Sequence, residues 1–162
     1  MASGGMNGRA LLAWAVLPVV VPVACAWIAR LERRILAEGL PLDAAQLADA
    51  RALGVARPER VRVLCLPTVP LPENRLVRAL GLRAGLLSAQ TLGMAAQRGI
   101  FLRKPHGQSR HVLAHELVHV RQYERLGGLR PFLRQYLYEC LALGYHQAPL
   151  EWEASEAAAL LA

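Results

Sequence analysis

A chain of 162 residues can fold as one domain with a modest core and is too short for two. Its hydrophobic content of 54% and positive mean hydropathy of +0.26 argue against a disordered chain. The formal charge of +7 comes from 18 arginines and one lysine, but the arginines are scattered and no nucleic-acid motif accompanies them. Nucleic acid is therefore not the expected partner, whereas anionic lipid suits the charge. Cys25, Cys65 and Cys140 are odd in number and widely spaced, which excludes a disulfide framework and a paired-cysteine metal knuckle.

Residues 1–9 read as a short, glycine-rich, disordered N-terminus. Residues 10–29 then run for twenty positions without a charge, enough for about 30 Å of helix, the thickness of a bilayer's hydrocarbon core. Trp14 and Trp27 stand near the ends as interfacial anchors would, and Arg30, Arg33 and Arg34 follow at once. This pattern predicts a membrane-associated helix over 10–39 that contacts lipid through residues 10–29. The positive-inside rule then places the remaining domain, 40–162, on the cytoplasmic side of the inner membrane. Competing readings are a cleaved signal peptide around Ala24-Cys25-Ala26, a lipoprotein-like Cys25, and a buried or monotopic helix. Pro22 stands where a lipoprotein signal usually has leucine, and membrane helices tolerate proline such as Pro18.

Further along, 42–53 has the alternation of an amphipathic helix, with Asp43 placed early to favour its dipole. Residues 61–66 are β-branched and bounded by Pro58 and Pro67, which predicts a strand. A proline-rich connector, 67–72, leads to a short helix over 73–80. The stretch 82–99 is ambiguous, with Thr91-Leu92-Gly93 offering a strand or a turn. Residues 98–103 predict another strand, followed by a loop that carries His106. Helices are expected at 110–126, at 129–143 with Pro131 in the first turn, and at 150–161. The fold class is α+β, mostly helical, with a small sheet of two to four strands beside the helix that starts at residue 110.

That helix holds His115-Glu116-Leu117-Val118-His119, an H-E-x-x-H motif. On a helix, His115 and His119 lie one turn apart on one face and can share a metal ion, while Glu116 can take a proton from a water that the metal activates. His111 extends the ladder, but His111 and His119 would stand about 12 Å apart along the axis, so His111 belongs at the cleft rim. A catalytic zinc usually has a third protein ligand. The H-E-x-x-H-x-x-G-x-x-H arrangement is excluded, because Gln122 and Arg125 occupy its glycine and histidine positions. The candidates that remain are the carboxylates of the last helix, Glu151, Glu153 and Glu156, and Glu139 on the helix before it. Tyr136, Tyr138, Tyr145 and His146 are candidate donors to an oxyanion, although tyrosines of an amphipathic helix more often serve packing. Arg121 and Arg125 suit ion pairs better than substrate contacts.

With this motif followed by Pro149-Leu150-Glu151-Trp152-Glu153-Ala154, the chain resembles the gluzincin class of zinc metallopeptidases and a group of small bacterial gluzincin-like proteins. The resemblance is strongest over 98–157. It implies a zincin-like domain in which His115, His119 and Glu151 hold one zinc ion, Glu116 is the catalytic base, and the substrate is a peptide or protein. It also implies that the strand over 98–103 borders the cleft and pairs with an extended substrate. The chain departs from the pattern at Ser155, where family members often have an Asp or Asn that orients a histidine ligand. The expected function is zinc-dependent peptide hydrolysis. The alternative is a zincin scaffold that binds metal or membrane without proteolysis.

Overall fold

The structure, a computed structural model, describes residues 8–83, 85–88, 91–105 and 109–161. The predicted disorder over 1–7 and the loop residue His106 lie outside these residues. Six α-helices and a four-stranded mixed sheet make up the described fold, so the α+β, mostly helical expectation holds.

Helix α1, Gly8–Glu38, begins before the predicted start and absorbs Gly8 and Arg9; Pro18 and Pro22 lie within its span. It is long and apolar enough to cross a membrane, yet 33% of its most apolar stretch is buried within the protein. Ala13, Leu17, Val20, Ala24, Ile28, Leu31 and Ile35 recur at helical spacing and form a buried stripe along its length. α1 is thus a core element. Glu32, also buried, accepts hydrogen bonds from Gln97 Nε2 (2.6 Å) and from the Arg98 backbone and side chain, tying the helix to the sheet.

Gly39 follows α1 at a position that needs glycine, since a Cβ there would meet the Ile35 carbonyl oxygen at 2.5 Å and the backbone of Val63 at about 3 Å. The chain enters β1, Leu40–Pro41, which pairs antiparallel with β2, Arg62–Leu66. Between them lies α2, Ala44–Ala52, held at its start by a reciprocal cap between Asp43 and Gln46. After β2 come α3, Arg75–Arg83, and a hairpin of β3, Gly93–Ala96, and β4, Gly99–Arg103. β2 runs parallel to β4 and β4 antiparallel to β3, in the order β1-β2-β4-β3. Ile100, Phe101 and Leu102 of β4 are fully buried, as befits a strand paired on both sides.

This order corrects one expectation. The strand over 98–103 is central and has no free edge for a substrate. The free edge beside the motif helix belongs to β3. Its sequence, Gly-Met-Ala-Ala, has no β-branched residue and so gave little strand signal.

The remaining helices are α4, Arg110–Leu126, α5, Leu129–Leu143, and α6, Pro149–Ala159. Ser109 caps α4 by accepting from the Val112 amide, and Gly127, at φ 89°, closes it in the left-handed conformation that glycine favours. α5 packs along the N-terminal half of α1, where Tyr138 meets Trp14 with ring centres 5.4 Å apart and Arg134 lies over the same indole. The three cysteines remain free thiols.

Since Ile35 is fully buried between α1 and the sheet, Ile35→Ala is expected to cost about 2–5 kcal/mol. Urea unfolding in mild detergent measures this. An unchanged midpoint would mean that α1 is a detachable anchor instead.

Candidate metal centre

The helical repeat places His115 and His119 on the face of α4 that meets α6, with their Nε2 atoms 3.1 Å apart. Pro149 starts α6, which puts Glu151 in its first turn and against both rings. Glu151 Oε2 stands 3.2 Å from His115 Nε2, and Oε1 stands 3.3 Å from His119 Nε2. Ligand atoms of the three residues lie within 4.8 Å of one another. Tetrahedral ligands about 2.0–2.1 Å from a zinc ion are separated by about 3.3–3.4 Å, so this donor set fits one.

Neighbouring hydrogen bonds favour the ligand form of each group. His119 Nδ1 lies 2.8 Å from Gln122 Oε1. The Gln122 amide nitrogen donates to the Leu150 carbonyl (2.9 Å) and to Glu153 Oε2 (3.0 Å), which fixes Oε1 towards the imidazole. Nδ1 must then carry the proton, and the Nε2 lone pair faces the site. Tyr136 donates to Glu151 Oε1 at 2.5 Å. Burial alone would raise the Glu151 carboxyl, but the hydrogen bonds from His115, His119 and Tyr136 outweigh it and hold the group well below the usual carboxylate range. For His119 burial opposes protonation, yet the Glu151 hydrogen bond and the charges of Glu151 and Glu116 push it up to about 9, so a metal must displace a proton from Nε2 when it binds.

Glu116 is buried next to these residues and receives a hydrogen bond from the Ala95 amide of β3. Burial raises its carboxyl above the usual range, against the pull of His115 and His119. Such a shift suits a group that must accept and return a proton. Room for Glu116 comes from Gly93, where a Cβ would lie 2.7 Å from Oε1 and 2.8 Å from Cγ. Gly93→Ala must therefore displace this carboxylate. If the site is catalytic, a roughly hundred-fold fall in turnover with metal content unchanged is expected, the scale of a 1 Å misplacement in an active site. Full activity in that variant would show that Glu116 needs no fixed position.

The other carboxylates have different partners. Glu153 is clamped by Arg121 (2.5 Å) and by Arg125 (2.7 and 2.8 Å), the ion-pairing role expected of these arginines. Glu139 is buried and accepts from the Leu150 amide (2.9 Å), which caps the start of α6, and from Gln135 (2.8 Å). Glu156 and Ser155 are exposed. His111, Tyr136, Tyr145 and His146 line the cleft at the site, while Tyr138 packs on Trp14 instead.

Gln122 and Gly93 carry roles that the sequence reading did not assign. Gln122 stands three residues after His119, where the i,i+3 relation could have suggested it as the partner of that imidazole. Gly93 had no such signal, because its role depends on a close approach between distant elements. Gln122→Leu is expected to weaken zinc binding about 10–100-fold, measured by competition with a chromogenic chelator. Unchanged affinity would remove Gln122 from the site's support.

Comparison of the chain with protein families, with curated proteins and with solved structures finds no match.

Proposed function

We propose that the protein is a zinc-dependent peptidase. The observation that carries this reading is the convergence of His115, His119 and Glu151 on one point with the Glu116 carboxylate beside it and the free edge of β3 alongside. His115, His119 and Glu151 would hold the ion, which when bound acts as a Lewis acid on a carbonyl and makes water a nucleophile at neutral pH. Glu116 takes the proton of the attacking water and delivers it to the leaving nitrogen. Its burial keeps competing solvent away, and the Ala95 amide holds its orientation.

The edge of β3 is the natural place for the substrate backbone. Leu92 accepts from the Arg103 amide, so Leu92 and Met94 face β4 and the intervening residues face outward. Ala95 bears this out: its outward groups meet Glu116 and, through the carbonyl, the Tyr123 hydroxyl. Gly93, in the same phase, offers its own N–H and C=O to an extended chain.

Membrane association belongs to the same proposal, with α1 as the lipid contact and the domain on the cytoplasmic face. Because α1 packs on α5 and the sheet along its length, it lies on the bilayer with the domain attached instead of crossing it alone.

A peptide library incubated with the zinc-loaded protein and read by mass spectrometry tests the activity. Cleavage that a chelator abolishes and zinc restores supports it. A zinc-loaded protein that cuts no peptide would instead be a metal-binding module on a zincin-like scaffold.

A further inference from the structure

The cleft that contains the site has a volume of about 780 Å³, in the range of sites that enclose sizeable apolar ligands. Its walls away from the metal centre are mostly apolar. α1 contributes Val20, Ala24, Trp27 and Ile28, which face Leu80 of α3 and Leu137 of α5 across the space. Outside the metal group, Arg83 is the one permanently charged side chain among the described residues of the wall.

The two helices that wall the cleft share a second property. α1 exposes Leu11, Leu12 and Val19, the last two at 64% and 59%, on a stripe with Ala15, Pro18, Pro22 and Ala26, and Arg30 and Arg33 follow on the same side. α3 exposes Leu76 and Leu82 among Arg75, Arg78 and Arg83. Arg30 and Glu73 pair at 3.7 Å, which brings the start of α3 near the C-terminal half of α1. Apolar side chains bordered by arginines on adjoining helices match the surface of an anionic bilayer.

We propose that the cleft binds an apolar polypeptide segment, so that the substrates are hydrophobic stretches of proteins, and that the exposed stripe of α1, on the far side of that helix from the cleft, holds the domain on a lipid surface. A polypeptide fits better than an acyl chain, because Gly93 at the edge of β3 supplies a main-chain N–H and C=O beside Glu116. This proposal rests on the peptidase reading of the site.

Binding and hydrolysis can be tested separately with the zinc-loaded Glu116→Gln protein. Two fluorescein-labelled peptides of equal length are titrated, one rich in Leu, Val and Phe and the other with Ser and Gln in their place. The apolar peptide is expected to bind more tightly by about ten-fold or more, and Ala24→Leu and Leu80→Gln should each weaken it several-fold at unchanged zinc content. The protein should float with phosphatidylcholine vesicles that contain phosphatidylglycerol, and Leu12→Glu with Val19→Glu should release it. Equal affinity for the two peptides, insensitivity to both cleft variants, or no flotation would overturn the proposal. If wild type cuts polar and apolar peptides equally well, the peptidase reading survives and this inference falls. If the apolar peptide binds as expected and wild type cuts nothing, the cleft assignment stands and the hydrolytic reading falls.

Discussion

Glu116→Gln is expected to lower turnover by about 10²–10⁴-fold while the protein retains its zinc. Glutamine keeps the shape of the side chain, and its carbonyl oxygen can still accept from the Ala95 amide. It cannot take a proton from water at neutral pH. In the proposed site other residues hold the ion, so its affinity should change little. The kcat/KM of any library-derived peptide, measured beside zinc content, separates the two effects. Hydrolysis at the wild-type rate by the zinc-loaded variant would show that Glu116 is not the base.

Glu151→Ala should have the largest effect on metal binding. It removes the one oxygen donor and leaves the Tyr136 hydroxyl without its carboxylate partner. The fall in zinc affinity should exceed the roughly 10–100-fold expected for removing a supporting residue such as Gln122. The comparison with Glu153→Ala and Glu139→Ala is what makes this informative. Glu153 faces Arg121, Arg125 and the Gln122 amide, which keeps its second bond to the Leu150 carbonyl, so loss of Glu153 should cost far less zinc affinity than loss of Glu151. Glu139 caps α6, so its loss should cost about 1 kcal/mol of stability with the donor set intact. Dialysis against a zinc buffer followed by elemental analysis ranks the three. Zinc retained by Glu151→Ala and lost by Glu153→Ala would move the third ligand.

The helices near the site were legible because their signals are local. α5 occupies the predicted 129–143, and Pro149 and Gly127 mark helix ends through backbone chemistry alone. The pairing of His115 with His119 follows from helical geometry once the helix is granted. The third donor was not decidable in the same way. Glu151 and Glu153 are about 200° apart around α6, so only one can reach the two imidazoles while the other meets a different part of α4, and which one does so depends on how the two helices dock. The arginines at 121 and 125 settle that rotation by holding Glu153.

Three features lay outside what one sequence can show. An uncharged run such as 10–29 looks the same whether it faces lipid or a protein core, because both environments select apolar residues. In the structure α1 carries a buried stripe against the sheet and α5 and an exposed apolar stripe opposite. Strand β3 was hidden because alanine and glycine carry little β-propensity, and its identity as the edge follows only from the pairing order. The position of Ser155 belongs here as well. The helix register exposes it, and Gln122, on the motif helix itself, orients the histidine instead.

The zinc content of the purified wild-type protein bears most directly on whether His115, His119 and Glu151 form a metal centre. After reconstitution and removal of loose metal, elemental analysis should find close to one zinc per chain. A wild-type protein that retains none would mean that the two imidazoles and the carboxylate hold one another by hydrogen bonds alone, and the peptidase reading would fall with the metal.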